Sequence, residues 1–272
     1  MLIRLGYELE YQFAQATPMI LNLHVHYSRA SDLVRPDTII THPSVPTSMY
    51  RDLFGNWCTR IVAPPGNFVI TADCLIRDGG EPEATSPHAF EHTVQSLPDD
   101  TLVFLLPSRY CETEHLAAPA WSMFGSMVPG WNRVQAVCDF VNQHIVFDYQ
   151  SARPTKTAWE VFSERRGVCR DYAHLAIALC RSLNIPARYC TGYLGDIGVP
   201  AMPFPMDFAG WMEVYLGGSW HTFDPRNNQR RIGRVLMARG QDAADVAISM
   251  TFGPNVLRSF KVWTDEVQQA AA

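Results

Sequence analysis

No stretch of this chain stays apolar for long enough to cross a bilayer. Runs of lysine or arginine are also missing, and a formal net charge of -5 gives little attraction for nucleic acid or an anionic membrane surface. The opening residues, Met1-Leu2-Ile3-Arg4-Leu5-Gly6-Tyr7, lack the charged start, apolar block and small-residue cleavage site of a secretory leader, so none is expected. Cysteine occurs seven times, an odd number, with no Cys-x-x-Cys. That argues against a disulfide framework, a zinc site or a dithiol redox centre, and suits a reducing cytoplasm. Charged residues make up only 18% of the chain, and no Asp-rich loop of the calcium-binding kind is present, so no cofactor is expected.

What is present suffices for two domains in 272 residues. Ile3, Leu5, Tyr7, Leu9, Tyr11 and Phe13 alternate with Arg4, Gly6, Glu8, Glu10 and Gln12, which predicts a strand with one dry and one wet face. A second strand is expected where Leu21, Leu23, Val25 and Tyr27 face inward and Asn22, His24 and His26 outward. The two histidines read as a solvated face, since metal sites want three or four ligands. Further β segments, punctuated by Pro64-Pro65-Gly66 and Asp78-Gly79-Gly80, make residues 1–80 a small β sandwich. Residues 81–100 read as a linker, and 101–272 as the second domain. Cys111, Glu112, Glu114 and His115 fit no ligand spacing and are taken as a turn.

Helices open that second domain. Val134, Val137, Cys138, Val141 and Ile145 recur at helical spacing, and Thr157 with Glu160 forms a capping box for a short helix ending near Glu164. Then comes Gly167-Val-Cys-Arg-Asp-Tyr-Ala, a helix to Asn184-Ile185-Pro186, and a strand from Ala187 to Tyr193. Cys169 is placed at the helix start, beside Arg170, where free N–H groups and the helix dipole lower a thiol pKa. Cys138, Cys180 and Cys190 read as packing, and His174 as structural. Gly217-Gly218 predicts a tight hairpin turn, with paired residues Val214 and His221, and Trp211 and Asp224. Residues 246–252 and 256–263 are expected to form a last hairpin closed by Trp263, and the tail 268–272 to fray.

The segment Gly-Val-Cys-x-Asp-Tyr-Ala, its helix, Ile-Pro-Ala-Arg-Tyr-x-x-Gly-Tyr, and the later Trp211, Glu213, Val214, Trp220, Phe223, Asp224 and Pro225 resemble the core of the transglutaminase-like superfamily, in its bacterial branch of proposed cysteine proteases. The resemblance implies an α+β, papain-like fold with a helix-borne Cys packed on an antiparallel sheet, preceded by a small β-sandwich domain. It also implies a Cys, His, Asp triad. Cys169 and Asp224 match its ends, but Ala209 stands where the histidine belongs. His221 faces the other way unless a β-bulge turns it over.

Two functions of different class follow. One is a thiol enzyme acting on amide or peptide bonds by hydrolysis or acyl transfer, with Cys169 as nucleophile and His221 or Asp224 serving the proton steps. The other is a catalytically weak relative that holds an extended peptide against Trp211, Trp220 and Tyr193. In both, the partner is a peptide or protein carrying an amide. Arg226, Arg230, Arg231 and Arg234 concentrate positive charge after the hairpin and read as a solvated turn.

Overall fold

The computed structural model describes residues 1–267; the tail expected to fray lies outside the described residues. The first alternating run becomes the strand Leu2–Phe13, and its six predicted apolar positions are all buried. It lies antiparallel between Gly66–Arg77 and Asn255–Val267, with Leu33–Arg35 and Ile40–His42 pairing on the far side of Gly66–Arg77. A second sheet runs in the order Ser249–Thr251, Thr17–Leu21, Trp57–Ala63, Ser48–Arg51. Leu5, Leu9 and Phe13 share one apolar core with Leu21 and Ile61 from the second sheet.

The expected C-terminal hairpin is corrected by this arrangement. Ser249–Thr251 pairs with Met19–Leu21, while the 13-residue strand Asn255–Val267 runs the length of Leu2–Phe13. Each arm finds a partner in the N-terminal sheets that offers more than a local turn does. Trp263, expected to close the core, is only half-buried and lies outside both apolar clusters; its ring covers Gly6, where there is no room for a Cβ. The second predicted strand also stops early, at Leu21. Asn22, His24 and His26 are buried rather than solvated, the first two through partners of their side chains elsewhere in the chain. Asn22 donates to the Ala247 carbonyl at 2.9 Å, and His24 lies 2.9 Å from the Thr59 hydroxyl and 3.3 Å from the Asp37 carboxylate.

Four α-helices follow: α1 (Thr113–Phe124), α2 (Trp131–His144), α3 (Ala158–Glu164) and α4 (Cys169–Ser182). The turn expected at 111–115 is instead the entry to α1, with Cys111 buried in the core. The capping box forms as expected, Thr157 Oγ1 accepting from the Glu160 N–H and Glu160 from the Thr157 N–H. Helix α4 is buried from Asp171 to Ser182 and packs against the other three helices and a four-stranded antiparallel sheet. That sheet has the order Ser219–Phe223, Ala209–Leu216, Ala187–Tyr193, Val235–Gly240. Met212, Val214 and Leu216 on one face meet the helices, while Tyr193, Val235 and Met237 on the other join the N-terminal core. The α+β arrangement with a helix-borne cysteine on an antiparallel sheet is thus what forms. No helix among the described residues is long and apolar enough to cross a membrane.

Candidate active site

The approach to α4 is tight. A Cβ on Gly167 would lie 2.6 Å from Asp171 Cβ, so only glycine lets the carboxylate close over the helix start. Asp171 accepts the Val168 N–H at 3.0 Å and pairs with Arg170 at 3.1 Å, satisfying one donor and favouring the dipole. Arg170 also donates to the Arg153 carbonyl at 2.6 Å. Its charge is therefore spent on Asp171, and what it offers Cys169 is its backbone N–H.

Cys169 lies at the junction of two cavities, of about 70 and about 480 Å³. Tyr149, Phe204, Met206 and Arg226 line the smaller one, and Tyr110, Tyr189, Thr191 and Val246 the larger. Asp207, Phe208, Ala209 and Gly210 border both along with the cysteine. An extended chain could lie from one cavity to the other across the sulfur.

The thiol is not acidic in this setting, contrary to the expectation from its place on the helix. Burial pushes it up to about 11 and the Asp207 carboxylate adds to that, while the Gly210 and Arg170 N–H groups and Arg226 pull the other way. The helix-end N–H of Arg170 and the strand N–H of Gly210 favour the thiolate, but loss of water around the sulfur outweighs them. The other six cysteines are buried free thiols. Among the described residues no cluster of histidine, cysteine, aspartate and glutamate is arranged to hold a metal ion.

The remaining sequence-based candidates are dispersed. His221 pairs with Val214 in an unbroken ladder, as the turn register required, and no bulge turns it over. Its ring meets the edge of Trp131, and Nε2 lies 3.1 Å from the Leu216 carbonyl, away from Cys169. Asp224 is buried with both oxygens engaged: Oδ1 by the Asn227 N–H at 3.0 Å, Oδ2 by the Asn227 amide at 2.7 Å and Arg234 at 2.8 Å. Burial alone would raise its carboxyl, but Arg234 and Asn227 outweigh that and hold it below the ordinary carboxylate range. Arg234, read from sequence as part of a solvated turn, is a buried residue lying over Trp211 at 4.7 Å. Trp211 and Tyr193 are buried, and Trp220 carries the Arg188 guanidinium on its face at 3.8 Å. None of these three aromatics lines either cavity at Cys169.

Asp207 is the residue that sequence reasoning passed over. It stands on the loop before Ala209–Leu216, open to solvent on one side, with Oδ1 accepting the Phe208 N–H at 2.7 Å. Burial of the carboxyl by the loop raises its pKa, against the pull of that N–H. Its position two residues before Ala209 was the available signal. Tyr189 is the other unforeseen neighbour; its hydroxyl occupies the space that a side chain on Gly210 would fill, 2.4 Å from where a Cβ would stand.

Residues 123–225 match the transglutaminase-like superfamily. A crystal structure from Cytophaga hutchinsonii, of a protein proposed to be a cysteine protease, shares the fold at a TM-score of 0.83 and 29% identity, over 100% of this chain and 92% of that one. Residues 123–225 thus form a transglutaminase-like domain. An uncharacterised protein of Mycobacterium tuberculosis is 27% identical over 224 residues, 73% of this chain and 69% of its own. One from Mycobacterium leprae is 35% identical over 85 residues, a match that spans 30% of its length. The matched stretch contains Cys169, Ala209 and Asp224.

Proposed function

We propose that this chain is a thiol enzyme that acts on amide carbonyls of a peptide or protein, with Cys169 as nucleophile and either water or an amine as acceptor. The observation that carries this reading is the placement of Cys169 at the meeting point of two cavities, where the Gly210 and Arg170 N–H groups favour its thiolate. Backbone donors of this kind, Arg170 from the helix start and Gly210 from a strand, are suited to the charge that develops on a carbonyl oxygen when sulfur attacks. The cavities on either side suit a substrate that continues past the scissile bond in both directions. The aromatic and apolar lining by Tyr149, Phe204 and Met206 on one side, and Tyr110 and Val246 on the other, favours apolar side chains near the reacting amide. Seven free thiols suit a reducing compartment.

The test is release of ammonia and of new amino groups from a tryptic digest of casein, by the wild type and by Cys169→Ala. Turnover that vanishes in the variant supports the reading. Equal behaviour of the two proteins ends it.

A second reading is favoured by one observation, the thiol pushed up to about 11 with Ala209 in place of an imidazole. On that reading the same groove binds an extended peptide and releases it unchanged. Binding of the casein peptides without any release of amine or ammonia is the outcome that selects it.

A further inference from the structure

A thiolate can attack a carbonyl unaided, but an amide nitrogen departs only when a proton reaches it. In this site the source of that proton is not the family's imidazole. Among the described residues no histidine lines either cavity at Cys169. Asp224 is fully engaged by Asn227 and Arg234. Besides Asp207, the titratable groups lining the two cavities with Cys169 are Tyr110, Tyr149, Tyr189, Arg153, Arg170, Arg226, Arg231 and Asp196. Guanidinium groups do not give up protons in proteins, and burial raises Tyr149 and Tyr189 above their ordinary range, so they hold their protons and are poor acids. Tyr110 borders only the larger cavity, its ring stacked on His174. Asp196 borders only the smaller cavity and is turned to the Met202 N–H, at 2.7 Å, and toward Arg231.

Asp207 differs from all of these. It borders both cavities together with Cys169, it is the acid whose charge acts on the thiol, and only Oδ1 is held by the protein among the described residues. Oδ2 is left for another partner. We propose that Asp207 carries the proton that the absent imidazole would have carried. The proposal rests on Cys169 being the nucleophile.

The step balances as follows. As the sulfur–carbon bond forms, the thiol proton passes to the Asp207 carboxylate and the carbonyl π pair moves onto oxygen. When the carbonyl re-forms, the carbon–nitrogen bond breaks and the Asp207 carboxylic acid protonates the departing nitrogen. Water or an amine then attacks the thioester and gives its proton to Asp207, and the expelled thiolate recovers that proton. The partial loss of water around the Asp207 carboxyl, which raises its pKa, favours this use, since its acid form survives closer to neutral pH.

The test is Asp207→Asn, a near-isosteric change on a solvent-open loop, with three readouts near neutral pH. Iodoacetamide alkylation, followed on the Cys169 peptide by mass spectrometry, needs only thiolate. Removing the neighbouring charge lowers the thiol pKa, so alkylation rises about threefold or more, each unit being tenfold in thiolate. Acylation by p-nitrophenyl acetate is kept or increased, because nitrophenolate leaves without a proton. Release of ammonia and amine from the casein digest falls about 100-fold. Opposite signs for alkylation and amide turnover support the proposal, because a merely structural residue would move both downward. Unchanged values in all three readouts overturn it, as does a parallel fall. Amide turnover equal in wild type and Cys169→Ala instead marks the failure of the functional reading, and the proton-carrying role falls with it.

Discussion

Replacing Arg234 by methionine tests how the buried carboxylate of Asp224 is held. Arg234 reaches Asp224 at 2.8 Å with side chains only 6% and 3% exposed, and pairs on its other side with Glu83. Methionine keeps the side chain's aliphatic bulk, removes the guanidinium that lies over Trp211, and leaves Asp224 buried with Asn227 alone. Removing one partner of a buried pair costs about 3–5 kcal/mol, since the remaining charge has neither water nor a counter-ion. Glu83 is partly exposed and regains solvent, so it adds little. A cost of about 4 kcal/mol is a large share of the ~5–15 kcal/mol that holds a domain together.

The sign with pH follows from Asp224. Its folded pKa is depressed, so its contribution is present above the unfolded value of about 3.9 and is lost as pH falls through the folded one. In Arg234→Met the depression is gone and the buried carboxyl takes up a proton more readily. The deficit relative to wild type is therefore greatest near neutral pH and shrinks toward about pH 4. Urea unfolding followed by tryptophan fluorescence at both pH values measures it. Adding Asp224→Asn to Arg234→Met should recover most of the loss. A cost below about 1 kcal/mol at neutral pH, or one that ignores pH, would refute the reasoning.

Other expectations follow from single features. His174 is fully buried, with Nε2 accepting the Ala243 N–H at 3.1 Å, and burial lowers its pKa to about 3; burial first, and nearby arginines after it, lower that of His26 to about 4. Both bind protons mainly when the chain unfolds, so stability falls by about 1.4 kcal/mol per pH unit for each between about pH 6.5 and about pH 4; His174→Gln should flatten that slope by about half. Gly210→Ala puts a Cβ 2.4 Å from the Tyr189 hydroxyl in a buried strand, and should cost about 1–3 kcal/mol by thermal unfolding and change the rate of Cys169 alkylation. Lys156, fully buried, donates to the Arg166 carbonyl at 3.0 Å and pairs with Glu164 at 3.1 Å; Lys156→Met should cost about 1–3 kcal/mol by leaving that carbonyl unpaired.

Local chemistry was legible in the sequence wherever a residue's role is settled within a few positions. Gly217 and Gly218 both take positive φ, 58° and 86°, and so fix the hairpin register that places His221 opposite Val214. The capping box of α3 and the start of α4 at Cys169 were readable for the same reason. Helix α1 was hidden by Pro119, whose missing N–H forgoes a bond to the His115 carbonyl; burial of Leu116, Ala120 and Phe124 outweighs that signal. The exit of Asn255–Val267 to the N-terminal sheet, and the burial of His24 through Asp37 and Thr59, depend on partners distant in the chain. At the site, the position of Cys169 was readable but its acidity was not. That property depends on how much water the loop bearing Asp207 leaves around the sulfur.

The most direct measurement for the account is mass spectrometry of the protein quenched in acid after brief reaction with p-nitrophenyl acetate. An acetyl group on the Cys169 peptide, removed by hydroxylamine and missing from Cys169→Ala, is the predicted result. An unacylated Cys169, or equal acylation of the Cys169→Ala protein, would contradict it.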